Sequence, residues 1–283
     1  MAIKITTDST CDLPAALLER HDVSVSPLGI VKAGRLFRDG ENITTADIAA
    51  HVDAGGDITT TSAVNIADYH DFFSRFSGSY DAVVHINIGT GFSSCHQNAR
   101  LAAGEFGNVY AVDSQNLSTG HGLIVLAAAE AAEAGKSLRE ILDLIDGMVP
   151  RVEASFVLDR LDYMKKGGRC SAVTALGANL LKLHPCIEVI GGRMSVVKKY
   201  RGSMVKTIID YTRDRVTGRD DLDLSRVILV DSCRTPGLVD AAREALREFG
   251  GFREVVETQA GCTIFCHCGP DALGVMFCRK KPE

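Results

Sequence analysis

Ala82-Val83-Val84-His85-Ile86-Asn87-Ile88-Gly89-Thr90-Gly91-Phe92-Ser93-Ser94-Cys95-His96-Gln97-Asn98-Ala99-Arg100 decides how this chain is read. Its apolar lead, 82–86, predicts a buried strand, and Gln97 to Ala103 predicts a helix. Between them runs a loop of Gly and Ser. A strand that passes through such a loop into a helix leaves the first backbone N–H groups without intrahelical acceptors. Those donors and the helix dipole favour an anion. The stretch therefore predicts a strand–loop–helix unit that holds the anionic head group of a ligand.

Outward from it, strand and helix patterns alternate. Ile3 to Asp8 reads as a strand, Asp12 as an N-cap with Pro14 in the first turn, and Leu13 to Arg20 as a short helix. Val23 to Val31 is strand-like and interrupted at Pro27, Phe37-Arg38-Asp39-Gly40 is turn chemistry, and Thr44 opens a helix to about Val52. The hydroxyl-rich run Ile58 to Asn65 precedes a helix carrying Ile66, Tyr69, Phe73 and Phe76 on one face. Asn108 to Ser114 is a strand, a long helix runs from Ser118 to Glu133, and Ser137 caps another. This alternation predicts a mostly parallel sheet flanked by helices, an N-terminal α/β domain over 1–150. Ligands of such sheets sit beyond the carboxyl ends of the strands. Asp8-Ser9, Thr61-Ser62, Ser93-Ser94 and Asp113-Ser114 all fall there.

The pattern changes at Met148-Val149-Pro150, and 151–283 reads as a second α/β domain. Ala154 to Leu158 is strand-like. Leu161 to Lys166 is a short helix closed by Gly167-Gly168, with Arg169 on the following loop. Ala172 to Leu183 reads as a buried helix, and 186–198 as a β-hairpin turning at Gly191-Gly192, with Arg201 at its exit. Ser203 to Thr212 and Leu238 to Phe249 read as helices. Val227 to Asp231, Glu254 to Val256, Thr263 to His267 and Val275 to Cys278 read as strands.

Bulk properties exclude several classes. The chain has 283 residues, 46% hydrophobic and 24% charged, with a net charge of -5 and no basic block, which argues against a nucleic-acid partner. The longest apolar run, Leu123 to Ala129, falls short of the ~20 residues of a membrane span, although transient contact with a membrane surface is compatible with the chain. The N-terminus meets Asp8 before any apolar stretch develops, so a cytoplasmic location is expected. Nine scattered cysteines suit free thiols in a reducing compartment. Cys262-x3-Cys266-His267-Cys268 lacks a CxxC pair, and with Cys266 and Cys268 on one strand face and His267 on the other, no metal is expected.

Two chemistries remain for the Ser93 turn. One is a nucleophilic serine assisted by His267, as in a hydrolase or acyltransferase; Gly91-Phe92-Ser93-Ser94-Cys95 lacks the second glycine of the GxSxG elbow. The other is a static anion site, in which Ser and Thr hydroxyls and an imidazole hold a carboxylate. Arg169 and Arg201, both on loops or strand ends, could hold a phosphate or an acidic partner.

Four stretches in order resemble the DegV family over almost the whole chain. Thr7-Asp8-Ser9-Thr10-Cys11-Asp12-Leu13-Pro14 is similar to its TDSTxDLP signature, and Val112-Asp113-Ser114 with Gly120 and Gly122 to its central segment. Leu161 to Arg169 resembles its L-x-Y-L-K-K-G-G-R stretch, and His267 to Gly274 its H-x-G-P-G-A-L-G loop. The resemblance implies a two-domain α/β fold with a tunnel between the domains for one long-chain fatty acid. It implies a carrier without catalysis or cofactor of its own, presenting the acid to a separate ATP-dependent fatty acid kinase subunit that makes acyl phosphate for phospholipid metabolism. By motif position it makes Thr61, Ser93 and His267 the carboxylate contacts, with Ser62 and Ser94 as further donors. Arg169 and Arg201 take the places that dock the kinase or support the acyl phosphate. Thr61-Ser62-Ala63-Val64 stands where the family has T-S-Q-P, and Ser93-Ser94-Cys95-His96 where it has S-G-T-Y.

Overall fold

The computed structural model describes residues 1–169 and 183–281. A four-stranded parallel sheet lies in the N-terminal half, in the order β2 (Ser24–Ser26), β1 (Ile3–Asp8), β6 (Ala82–Asn87) and β7 (Val109–Asp113). β6 is buried along its whole length, as a central parallel strand covered on both faces must be. The helix Ile66–Ser77 buries Tyr69, Phe72 and Phe73, and helix Cys95–Ala103 packs beside it.

The second sheet has six strands in the order β10-β9-β8-β13-β11-β12. These are β8 (Val152–Val157), β9 (Leu183–Ile190), β10 (Arg193–Arg201), β11 (Leu222–Asp231), β12 (Glu254–Gln259) and β13 (Leu273–Arg279). All its pairings are antiparallel except β11 with β12. Helix Ser118–Glu133 is apolar on nearly every side. It is buried because it contacts β1 and β6 of the first sheet and β8, β11 and β13 of the second. One continuous core thus joins Ile5, Val84 and Ile124 to Ile228, Val230 and Met276.

Several local expectations need correction. Thr263 to His267 is not a strand but part of the helix Cys262–Cys268. Its β-branched and aromatic residues favour a strand by propensity, which is a weak preference that tertiary contacts override. Here the carboxylate of Asp39 accepts from the N–H of Cys262 and of Thr263, each at 3.0 Å, and from Thr263 Oγ1 at 2.6 Å, capping the helix from a distant segment. Asp12 caps no helix of its own: Ala15–Arg20 starts after Pro14 without a side-chain cap. Asp12 instead accepts from Ser118 Oγ at 2.6 Å and from the N–H of Gly261 at 2.9 Å, tying two helix starts together. Burial pushes its carboxyl up to about 8.

Phe37 and Arg38 belong to a strand, β4 (Arg35–Arg38), and the hydroxyl run contains another, β5 (Thr60–Ser62). With β3 (Gly29–Lys32) they form a small third sheet, β4-β3-β5. The helix read over 172–183 lies outside the described residues except for Leu183, which begins β9. Among the described residues no helix is long and apolar enough to cross a membrane. None of their His, Cys, Asp and Glu side chains form a group of three able to hold a metal ion.

Candidate functional site

The Ser93 turn is built from the end of β6. Asp8, fully buried at the end of β1, accepts the N–H of Ile88 at 2.8 Å and Asn87 Nδ2 at 3.4 Å, which holds the start of the loop. Thr90 is fixed to Asp113 through its N–H at 3.1 Å and its hydroxyl at 2.8 Å. Gly91 lies against the carbonyl of Gly192 in the hairpin turn, so closely that no Cβ fits. The glycine is needed for this approach between the two halves rather than for an anion.

Ser93 Oγ accepts the N–H of Cys95 at 3.2 Å and donates to Cys95 Sγ at 3.2 Å. Sulfur is a weak acceptor, so this hydroxyl proton is free to turn to a better one. Ser94 precedes the helix without a side-chain cap of its own.

Thr61 on β5 reaches across to the helix Cys262–Cys268, where its Oγ1 lies 2.9 Å from His267 Nε2. His267 Nδ1 is buried without a partner among the described residues. A proton there would be an orphaned donor, whereas a bare lone pair costs less. We therefore assign the hydrogen to Nε2, donating to Thr61 Oγ1. The Thr61 hydroxyl is then released to donate outward.

Burial, helped by the charge of Arg169, pushes His267 down from 6.5 to about 4. The ring is neutral at physiological pH. On acidification the unfolded chain takes up its proton first, so the stability this group contributes is complete above about pH 6.5 and declines between there and pH 4. The ring protons of His267 should hold constant NMR shifts from pH 8 to about pH 5 in the ligand-free protein. A midpoint near 6.5 would contradict the buried neutral ring.

Arg169 bridges the two halves, donating to the carbonyl of Gly167 at 2.8 Å and of Phe92 at 2.9 Å. Gly167 packs against the His267 ring: a Cβ would stand 2.7 Å from Cε1 and closer still to Nδ1. Thr61, Ser93, Ser94, Arg169 and His267 line one cavity of about 1000 Å³, mouth included. Its remaining wall is mostly apolar, with Phe92, Leu117, Phe156, Met194, Ile264 and Met276 prominent.

Two residues singled out in the sequence do not join this wall. The Ser62 hydroxyl lies over the backbone of Gly29, the alternate face of β5 from Thr61. Arg201 is exposed at the end of β10, outside the cavity lining. Sequence reasoning in turn missed Asp39, Gly167 and Asp231; the last lines the cavity at the end of an apolar strand.

Among the described residues, Ser93 and His267 share no hydrogen bond; Ser93 bonds within its own turn and His267 to Thr61. A nucleophile and its base must be within hydrogen-bond reach, so nothing in this arrangement favours a serine hydrolase. The arrangement can instead offer neutral donors and one cation, from one wall of a mostly apolar cavity, to an anion.

Residues 2–280 match the model of a family described as uncharacterised protein, DegV family. A DegV domain-containing protein of Clostridium acetobutylicum is 30% identical over 282 residues, covering 98% of this chain and 99% of that one. The structure of a fatty-acid-binding DegV family protein from Thermus thermophilus superposes with a TM-score of 0.90 at 30% identity, covering 99% of this chain and all of the other. A lipid-binding protein of the same kind from Thermotoga maritima gives a TM-score of 0.85 at 26% identity over the full length of both chains.

Proposed function

The chain belongs to the DegV family, and from that premise we propose that it is a cytoplasmic carrier of one long-chain fatty acid. The observation that carries this reading is the mostly apolar cavity whose wall holds the hydrogen-bonded Thr61–His267 pair together with Ser93 and Ser94. An acyl chain gains about 0.8 kcal/mol per buried CH₂. Its carboxylate must meet strong donors to leave water. Thr61, freed by the Nε2–H tautomer of His267, supplies one; Ser93 supplies a second by turning from the sulfur of Cys95. Ser94 on the same wall completes the set. None of these steps needs a catalytic base, and the carrier performs no chemistry of its own.

The finer part of the proposal is that the bound acid is presented to a separate ATP-dependent kinase subunit for conversion to acyl phosphate. Arg169 at the cavity wall and Arg201 on the surface would then serve docking and the added negative charge.

Native mass spectrometry of gently purified protein should find one unmodified long-chain fatty acid per chain, and Thr61→Val with Ser93→Ala should be isolated without it. Absence of any bound acid, together with no thermal shift on adding oleate, would overturn the carrier. Ester hydrolysis abolished by Ser93→Ala would replace it with an enzyme.

A further inference from the structure

One wall of the cavity is a face of the six-stranded sheet. Phe156, Gly274 and Val230 stand side by side there, one each from β8, β13 and β11, and all three line the cavity. The middle position has no side chain. The space over it is taken by Met276, two residues on and therefore on the same face. A Cβ at Gly274 would stand 2.8 Å from Met276 Cε and 3.1 Å from its Sδ. Methionine is unbranched and pliable, and it fills irregular gaps of this kind. Met276 is 1% exposed, so its thioether plugs the dent over the glycine rather than standing free in the cavity.

Its place along the cavity follows from the strand. Ser232 donates to the carbonyl of Gly269 at 2.6 Å and accepts the N–H of Ala272 at 3.1 Å, which sets the start of β13 beside the C-terminal end of the helix that carries His267. The N-terminal end of that helix lies at the same edge of the sheet, where the N–H of Ala260 bonds to the carbonyl of Asp231 at 2.8 Å. The helix therefore lies over the strand ends, and β13 leads away from it. Met276 stands roughly 10 Å beyond Leu273, at about 3.4 Å per residue. Its cross-strand neighbours Ala154 and Ile228 do not line the cavity. Ala154 lies under Gly120 of the helix Ser118–Glu133, where a Cβ on the glycine would come within 2.7 Å of it. That helix covers the sheet from there on, and Met276 alone among these three neighbours reaches back to the cavity.

Resting on the carrier reading, we propose that Met276 sets the longest acyl chain this cavity accepts. With the carboxylate at Thr61 and His267, the tail runs along Phe156, Gly274 and Val230 and stops against the thioether. Sδ and Cε stand where about two further methylenes would lie. A longer acid leaves those methylenes in water or drives Met276 from its gap. It forgoes the roughly fourfold gain in affinity that each buried methylene otherwise brings.

The test measures dissociation constants of laurate, myristate, palmitate, stearate and arachidate for delipidated wild type, Met276→Val and Met276→Ala. Valine removes Sδ and Cε but keeps a branched side chain suited to a buried strand, and so guards against a failure of the alanine variant to fold. In wild type, affinity should rise with length to one optimum and then level off. In both variants the rise should continue for about two more methylenes, so that the acid next above the wild-type optimum binds about tenfold tighter to them than to wild type. Val275→Ala truncates a buried side chain on the opposite face of β13 and should leave the optimum where it is. A wild-type affinity still rising at arachidate, an optimum that stays put in Met276→Val, or one that moves as far in Val275→Ala overturns this inference and leaves the carrier standing. Wild type that binds none of the five acids overturns the carrier as well.

Discussion

Gly167→Ala should lower fatty-acid affinity about 100-fold while costing little global stability. The added methyl carbon would occupy the place of His267 Nδ1 and stand 2.7 Å from Cε1. The imidazole cannot slide aside along its ring plane, because Nε2 is held 2.9 Å from Thr61 Oγ1. It relieves the clash by rotating away, and the Thr61 bond breaks. Thr61 then loses the partner that turns its own hydroxyl toward the ligand. A hydrogen bond to a charged group contributes about 1.5–3 kcal/mol, and loss of such a donor at a desolvated carboxylate reaches the 100-fold range. The backbone at Gly167 has an ordinary helical φ, and beyond the ring the nearest atom to the added carbon is the Tyr163 carbonyl oxygen at 3.3 Å. Titration calorimetry with oleate and a urea melt separate the two effects. His267→Ala in the Gly167→Ala background should cost no further affinity, since the same contact is already gone. Unchanged affinity in Gly167→Ala would remove the imidazole from the site.

The strand–loop–helix unit at Ser93 was legible because the hydrophobic pattern changes period across it, from a continuous buried run to helical spacing. The parallel sheet followed from the same alternation, and the hairpin from Gly191-Gly192, both of which adopt positive φ. What escaped is what depends on partners far away in the chain. The helix that carries His267 begins with a run that looks like a strand, and the carboxylate that caps it is Asp39, read as a turn residue. The three-stranded sheet has strands of only three or four residues, too short for a period to register. Gly91 and Gly167 were visible as loop and C-cap glycines, but the side chain or carbonyl that each must admit comes from another element. Thr61 and Ser93 could be named from hydroxyl-rich turns. The tautomer that makes Thr61 a donor rests on the lack of any hydrogen-bond partner for the buried Nδ1 among the described residues, which no spacing encodes.

The second large effect is expected at Asp8, which does not line the cavity itself but holds Ile88, which does. Asp8→Ala should destabilise the fold by roughly 3–5 kcal/mol, the cost of breaking a buried charged network and stranding its partners. Asp8 is fully buried and accepts from Ile88 N–H at 2.8 Å, Thr10 N–H at 3.2 Å, the Thr10 hydroxyl and Asn87 Nδ2 at 3.4 Å. Alanine leaves the N–H groups of Ile88 and Thr10 facing a void that water must enter or the loop must close, while Asn87 and the Thr10 hydroxyl keep second partners in Tyr69 and His121. His121 sits behind them, with Nε2 3.0 Å from the carbonyl of Ile86 and Nδ1 3.9 Å from Asp8. Burial lowers its pKa and the Asp8 charge opposes that shift, so the variant should hold this ring neutral still more firmly. Because Ile88 opens the loop to Ser93, the defect should extend to binding: oleate affinity should fall even at low temperature, where the variant is folded. Asp8→Asn keeps the shape and one acceptor oxygen and should recover about half of the lost stability. Urea midpoints for the three proteins, with calorimetry of the folded forms, give both readouts. A variant with alanine at this position that melts within about 1 kcal/mol of wild type would mean that the loop is held by packing alone.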